Sequence, residues 1–354
     1  MNTTMPRMTG EQRMLAACRR EAVDATPIWF MRQAGRCLAD YRELRKRYDI
    51  LTLTKTPELC TQVTTMPLDA FGVDAAVMFA DIMLPMEAMG ISFYIEPEVG
   101  PIINNPIRSA ADVDRLQIVE AEESTPYVFE AMRMVRREIE GRAALVGFSG
   151  APFTLATYLV EGRPSPSREY PTTRGLMVEQ PAVWHRLMST LTEVILRYLH
   201  GQIAAGAQIL QLFDSWVGAL SPDEYKEFVL PYSRKIFEGI APTGIPTIHF
   251  GRSTGQMLDL IAAAGSDIIS VDWEVPLDRA WDLIGHDRGI QGNLDSNLLL
   301  ESYEAAEAGA AAVLALAAGR AGHIFNLGHG VLPDTRPADL ARLVEFVHAQ
   351  TARN

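Results

Sequence analysis

Short apolar runs recur along this chain, each ending in glycine, asparagine or a polar cluster, with helix-like stretches lying between them. The runs fall at 27–31 (PIWFM), 74–79 (DAAVMF), 144–148 (ALVGF), 208–213 (QILQLF), 246–250 (PTIHF), 267–273 (DIISVDW), 289–293 (GIQGN) and 323–327 (HIFNL). Runs of this length with such flanks read as candidate strands. The stretches between them include TPYVFEAMRMVRREIE, AVWHRLMSTLTEVILRYLHGQIAAG and SYEAAEAGAAAVLALAAGR, several closed by glycine as helix C-termini often are. Strand then helix, repeated eight times, predicts an α/β fold of the (β/α)8 TIM-barrel type. An open doubly wound sheet is the competing architecture, because runs seven and eight are short and carry glycine or asparagine. At 354 residues, one or two domains are possible.

A barrel of this kind places its chemistry in a cleft at the C-terminal ends of the strands. The polar residues fall there. Run one exits into Arg32 and Arg36, run two into Asp81, and run three into SGAPFTLATYLVEG with Thr154 and Tyr158. Run four exits into Asp214 and Ser215, run five into HFGRSTG, and run eight into His329 of NLGHG. The arginine pair is the most pointed of these, since each guanidinium offers a fork of donors that matches a carboxylate or phosphate. A surface turn could instead pair Arg32 and Arg36 with Asp40 or Glu43, but scattered, satisfied polar groups would not line up along one rim. Asp81 follows an apolar run and adjoins Ile82, Met83 and Leu84, so it is expected to be partly desolvated and in need of donors. Those donors come either from Arg32 and Arg36 or from a ligand.

A net charge of −12 and a pI near 5.1 argue against a nucleic-acid partner, whose grip would need a basic footprint. They also require any acidic ligand to find a locally basic site. The first segment supplies one, with Arg7, Arg13, Arg19, Arg20, Arg32, Arg36, Arg42, Arg45, Lys46 and Arg47, most of which are expected at the solvated surface. Cys18, Cys37 and Cys60 are too few and too scattered for a disulfide framework or a zinc site, which suits a cytoplasmic protein with reduced thiols. The N-terminal segment has no signal-peptide h-region, and no run of roughly 18 apolar residues exists to span a membrane. There is no HExxH, GFSGA is not the G-x-S-x-G of a serine hydrolase, and neither a P-loop nor a G-x-G-x-x-G follows the first strand. The glycines of NLGHG after the last run leave a phosphate site conceivable from placement alone.

PIWFMRQAGR and GFSGAPFTLATYLVEG resemble the two signature segments of the uroporphyrinogen decarboxylase family, and FADI, LQLFDSWVG, IQGNLD and NLGHGVLPD resemble further blocks of that family in the same order. The resemblance runs from Pro27 to Asp334. It implies a single-domain (β/α)8 barrel over residues 1–354 that is usually a homodimer and needs no metal or organic cofactor. It also implies removal of carbon dioxide from the four acetate side chains of uroporphyrinogen III to give coproporphyrinogen III. Two stretches depart from the usual pattern. Cys37, Leu38 and Ala39 stand where Tyr-Leu-Pro is common, and RPSPSREYPTTR follows Gly162 in place of a glycine-rich loop, although Arg163 and Arg168 keep it basic.

By the same resemblance, Asp81 accepts pyrrole N–H groups and stabilises a cationic intermediate, and Tyr158 orients that carboxylate. Ser215 and His329 bind carboxylate side chains, Gln33 and Arg36 lie beside the reacting acetate, and Arg32 is the candidate proton donor. A guanidinium with a pKa above about 12 is a poor general acid, so Arg32 could instead position the acetate while water delivers the proton. Two competing readings stay open. Related cobamide-dependent methyltransferases hold zinc through His and Cys, whereas HFG at His249 offers glycine where a cysteine would be wanted. A non-catalytic porphyrinogen carrier would need the carboxylate grips but not Asp81.

Overall fold

The computed structural model describes residues 6–353 apart from 166 and 168. Its strands in chain order are β1 (Ala75–Val77), β2 (Phe93–Glu96), β3 (Gly100–Ile103), β4 (Ala144–Gly150), β5 (Ile209–Asp214), β6 (Thr247–Gly251), β7 (Ile268–Ser270), β8 (Gly289–Leu294) and β9 (His323–Leu327). Seven of them form one curled parallel sheet in the order β1-β4-β5-β6-β7-β8-β9, which never reverses as a doubly wound sheet must. Strands β1, β6, β7, β8 and β9 are buried at every residue, because helices cover the outer face and other strands face the inner one. Runs seven and eight, despite their glycine and asparagine, are regular strands paired from Ile290–His323 to Leu294–Leu327.

The run at 27–31 is not a regular strand. It makes one parallel bridge, Ile28 to Phe325. Pro27 has no N–H to give, the Ile28 N–H donates to the Asp74 carboxylate at 2.8 Å, and the Met31 N–H donates to Asn326 Oδ1 at 3.0 Å. Side chains supply these two bonds, while the Trp29 N–H still donates to the Phe325 carbonyl at 3.4 Å. The segment still bonds to both sides: Phe325 N–H donates to the Pro27 carbonyl at 2.8 Å, and Asp74 N–H to that of Ile28 at 2.9 Å. Trp29 donates from Nε1 to Gln291 at 2.9 Å, and Gln291 in turn donates to Ser270 and Gln211. This buried polar layer joins the segment to β5, β7 and β8.

Of the basic residues expected at the surface, Arg13 is an exception. It is buried and bonds both Asp24 and Asp74, at 2.7 and 2.5 Å. The cost of burying its charge is offset only because both carboxylates are in contact with it. The antiparallel hairpin β2–β3 was not foreshadowed by an apolar run. Among the described residues, Cys18, Cys37 and Cys60 are buried and unpaired, and no helix is long and apolar enough to cross a membrane.

Candidate active site

Asp81 stands four residues past the end of β1, where Oδ1 accepts the Met83 N–H at 2.8 Å and starts the short helix Leu84–Ala88. Met83 and Leu84 are fully buried beside it. Burial pushes the Asp81 carboxyl above the ordinary aspartate value, and the Met83 N–H and the charge of Arg32 pull it only part of the way back. Tyr158 lies on the helix Pro152–Glu161 that follows β4. Burial, then the Asp81 charge, pushes its phenol up to about 12, against a hydrogen bond with Trp216 and the charge of Arg32. The phenol therefore keeps its proton at neutral pH. Its ring meets Trp216 edge-on, with centroids 6.1 Å apart.

Arg32 ends the 27–31 segment in the left-handed region, with φ of 59°. Its side chain lies across Gly330, where an added Cβ would sit 2.4 Å from the Arg32 Cδ. The glycine after His329 thus makes room for the arginine. Arg36 pairs with Glu98 at the tip of the β2–β3 hairpin, 2.5 Å away and largely in water, and not with Asp40 or Glu43. Gln33 is fully buried. Its Oε1 accepts from Phe30 N–H at 3.0 Å and its Nε2 donates to the Ala75 carbonyl at 2.9 Å, so it ties the segment's exit to β1. Ser215 and His329 are half-buried at the exits of β5 and β9, and His329 meets Trp273 edge-on at 6.3 Å.

Asp81, Tyr158 and Arg32 are close enough to feel one another's charge, and Ser215 adjoins the Trp216 that contacts Tyr158. Two other rim candidates turn inward. Thr154 is buried and donates to Asp214, also buried, at 3.0 Å. His249 packs 5.1 Å from Phe237 of the helix Leu230–Ile240, between sheet and helix layer. Among the described residues no three His, Cys, Asp or Glu side chains are grouped to hold a metal ion. Arg163 is exposed on the divergent loop, whose Pro164 packs near Gly100 of the hairpin, and Arg168 lies outside the described residues. Sequence reading missed Trp216 and Trp273. The signal was an aromatic residue at the strand exits, in FDSW and VDW.

The family model of uroporphyrinogen decarboxylase (URO-D) matches residues 9–350. Proteins called uroporphyrinogen decarboxylase from Sorangium cellulosum and Carboxydothermus hydrogenoformans are 51% and 50% identical to this chain. Those alignments cover 95% and 94% of this chain, and 96% and 95% of the two relatives. Among solved structures, a methyltransferase from Methanosarcina mazei superposes with a TM-score of 0.81 over 97% of this chain and 99% of its own. At 19% identity that likeness speaks for the fold alone. The signature segments, the rim they build around Asp81 and the match along nearly the whole chain agree: this chain belongs to the uroporphyrinogen decarboxylase family.

Proposed function

We propose that the chain removes carbon dioxide from the acetate side chains of uroporphyrinogen III, leaving the methyls of coproporphyrinogen III, with no metal or organic cofactor. The observation that carries this reading is Asp81, a half-buried carboxylate whose short donor among the described residues is the Met83 N–H, flanked by a protonated tyrosine and an arginine. Uroporphyrinogen offers pyrrole N–H donors to Asp81 and carboxylates to Arg32, Arg36, Ser215 and His329. Protonation of the ring carbon beside an acetate gives an iminium-like cation. The C–CO₂ bond then breaks and its electron pair neutralises the ring, leaving an exocyclic methylene. Protonation of that methylene and loss of the ring-carbon proton complete the methyl. The negative charge of Asp81, held where water is scarce, stabilises the cation. Tyr158 fixes the carboxylate, and Arg32 positions the acetate while water delivers the proton. Gln33 acts by setting the strand exit from which both arginines leave.

In the same reading, 27–31 is the eighth stave of a closed (β/α)8 barrel, supported by its bonds to β9 and to the residue before β1. The protein is a cytoplasmic homodimer, a location consistent with its unpaired cysteines. Sedimentation should give twice the 39.1 kDa of the chain. The activity is tested by incubating the chain anaerobically with uroporphyrinogen III and a chelator, then separating products by carboxylate number. Loss of four carboxylates supports the reading. Unchanged substrate would favour a carrier, and activity abolished by the chelator would favour metal chemistry.

A further inference from the structure

Arg252 is the first residue beyond β6. Its guanidinium lies over the Trp273 ring, 5.3 Å from the centroid, and that ring in turn contacts His329. Arg252 also lines a cavity of about 190 Å³ together with Tyr170, Ser215, Trp216 and Ser253. Its backbone is clamped by both neighbouring exits. A Cβ on Gly218, after β5, would stand 2.1 Å from the Arg252 carbonyl oxygen. Ser253, at a left-handed φ of 54°, donates its N–H to Asp272, after β7, at 2.5 Å. Strand β6 is the middle strand of the seven, so its exit lies farthest from the 27–31 segment that bonds to both ends of the sheet. Arg32 and Arg36 leave that segment. A macrocycle with carboxylates all around its edge, gripped on one side by those two, turns others toward β6. A guanidinium carries five N–H donors, so one stacked on an indole can still turn donors toward a carboxylate.

We propose that Arg252, with the Ser215 hydroxyl, holds a side-chain carboxylate of the tetrapyrrole in this cavity, across the mouth from Arg32 and Arg36; the proposal rests on the decarboxylase reading above. The competing role is purely structural, as a positive charge beside buried Asp272. Kinetics with uroporphyrinogen III and melting curves separate the two. Arg252→Gln should raise KM about 10- to 100-fold, the span expected for losing a charged hydrogen bond, with kcat within about threefold and little change in Tm. Arg252→Lys should recover part of the affinity. Ser215→Ala, in the lining of the same cavity, should raise KM less, and it tests that cavity if Arg252→Gln folds poorly. Wild-type KM in Arg252→Gln or in both other variants, or a fall in Tm with kcat lost in proportion and KM unchanged, overturns the proposal. If the wild-type chain leaves uroporphyrinogen intact, the decarboxylase reading falls first. If the wild type turns over and KM is insensitive, only the Arg252 assignment falls.

Discussion

Asp81→Asn should make the protein more stable and much less active. The carboxylate is half-buried, accepts the short Met83 N–H bond, and is pushed above its ordinary pKa by desolvation. Its ionised form is therefore a cost to the unliganded fold, which asparagine removes while still accepting the Met83 N–H. The sign with pH follows from linkage. Below about pH 3.9, the ordinary aspartate value, Asp81 is protonated in both folded and unfolded chains, and the two proteins should match. As pH rises through the raised folded value, wild type loses stability relative to the variant, so the gap in Tm opens toward neutrality. Relief of a strained functional group is typically worth about 0.5–2 kcal/mol, about 1–3 °C in a chain this long. Turnover should move the other way. Loss of one preorganised electrostatic partner costs about 10²- to 10³-fold in rate, and kcat should fall more than affinity because the charge matters most once the ring is cationic. Asp81→Glu keeps the charge and displaces it by about 1.5 Å, so it should be impaired without the gain in Tm. Calorimetry across pH beside single-turnover assays decides the matter. An Asp81→Asn protein that melts lower and turns over normally in the cold would show that Asp81 is a structural partner of Arg32 instead.

Gly330→Ala would put a Cβ 2.4 Å from the Arg32 Cδ; it should cut kcat/KM about 10- to 100-fold with Tm nearly unchanged, and normal kinetics would mean that the position of Arg32 is unimportant. Gln33→Ala strips partners from the Phe30 N–H and the Ala75 carbonyl; a fall in Tm of about 1–4 °C is expected from a loss of about 1–3 kcal/mol, and an unchanged Tm would remove its bracing role. Arg36→Ala should lower kcat/KM about tenfold or more, whereas Arg163→Ala on the exposed loop should cost less. Equal losses in the two variants would dissolve that distinction.

Seven strands were legible because each is buried on both faces and so must be spelled in apolar residues. The same rule overstated 27–31, which is as apolar as any strand but begins with a proline and takes two of its bonds from the Asp74 and Asn326 side chains. Apolar content reports burial and says nothing of which group supplies the hydrogen bond. The β2–β3 hairpin escaped for the opposite reason. FYIE alternates between half-buried and exposed and offers only three apolar residues in a row, yet its turn carries the Glu98 that meets Arg36. At the rim, identity and order were readable for Arg32, Asp81, Tyr158, Ser215 and His329. Orientation was not: Gln33 and Thr154 occupy exits as well, and both spend their polar atoms inside the protein.

Two aspartates seven residues apart show what the remaining information consists of. Asp74 and Asp81 flank the same three-residue strand, β1. Asp74, before the strand, accepts from Arg13 at 2.5 Å, from the Ile28 N–H at 2.8 Å and contacts His348 at 2.8 Å, binding the helix Gly10–Cys18, the 27–31 segment and the helix Pro337–Thr351 to one point. Asp81, beyond the strand, accepts at short range, among the described residues, from Met83 alone. A carboxylate surrounded by three donors has nothing left to offer a substrate and stabilises the fold. One with a single donor is a cost to the empty protein that a ligand bearing N–H groups removes. In the proposed reading, chain position relative to the strand separates the two roles, since the N-terminal ends of barrel strands serve stability and the C-terminal ends serve chemistry. What decides each role physically is the number of donors, and all of Asp74's come from residues at least 46 positions away in sequence.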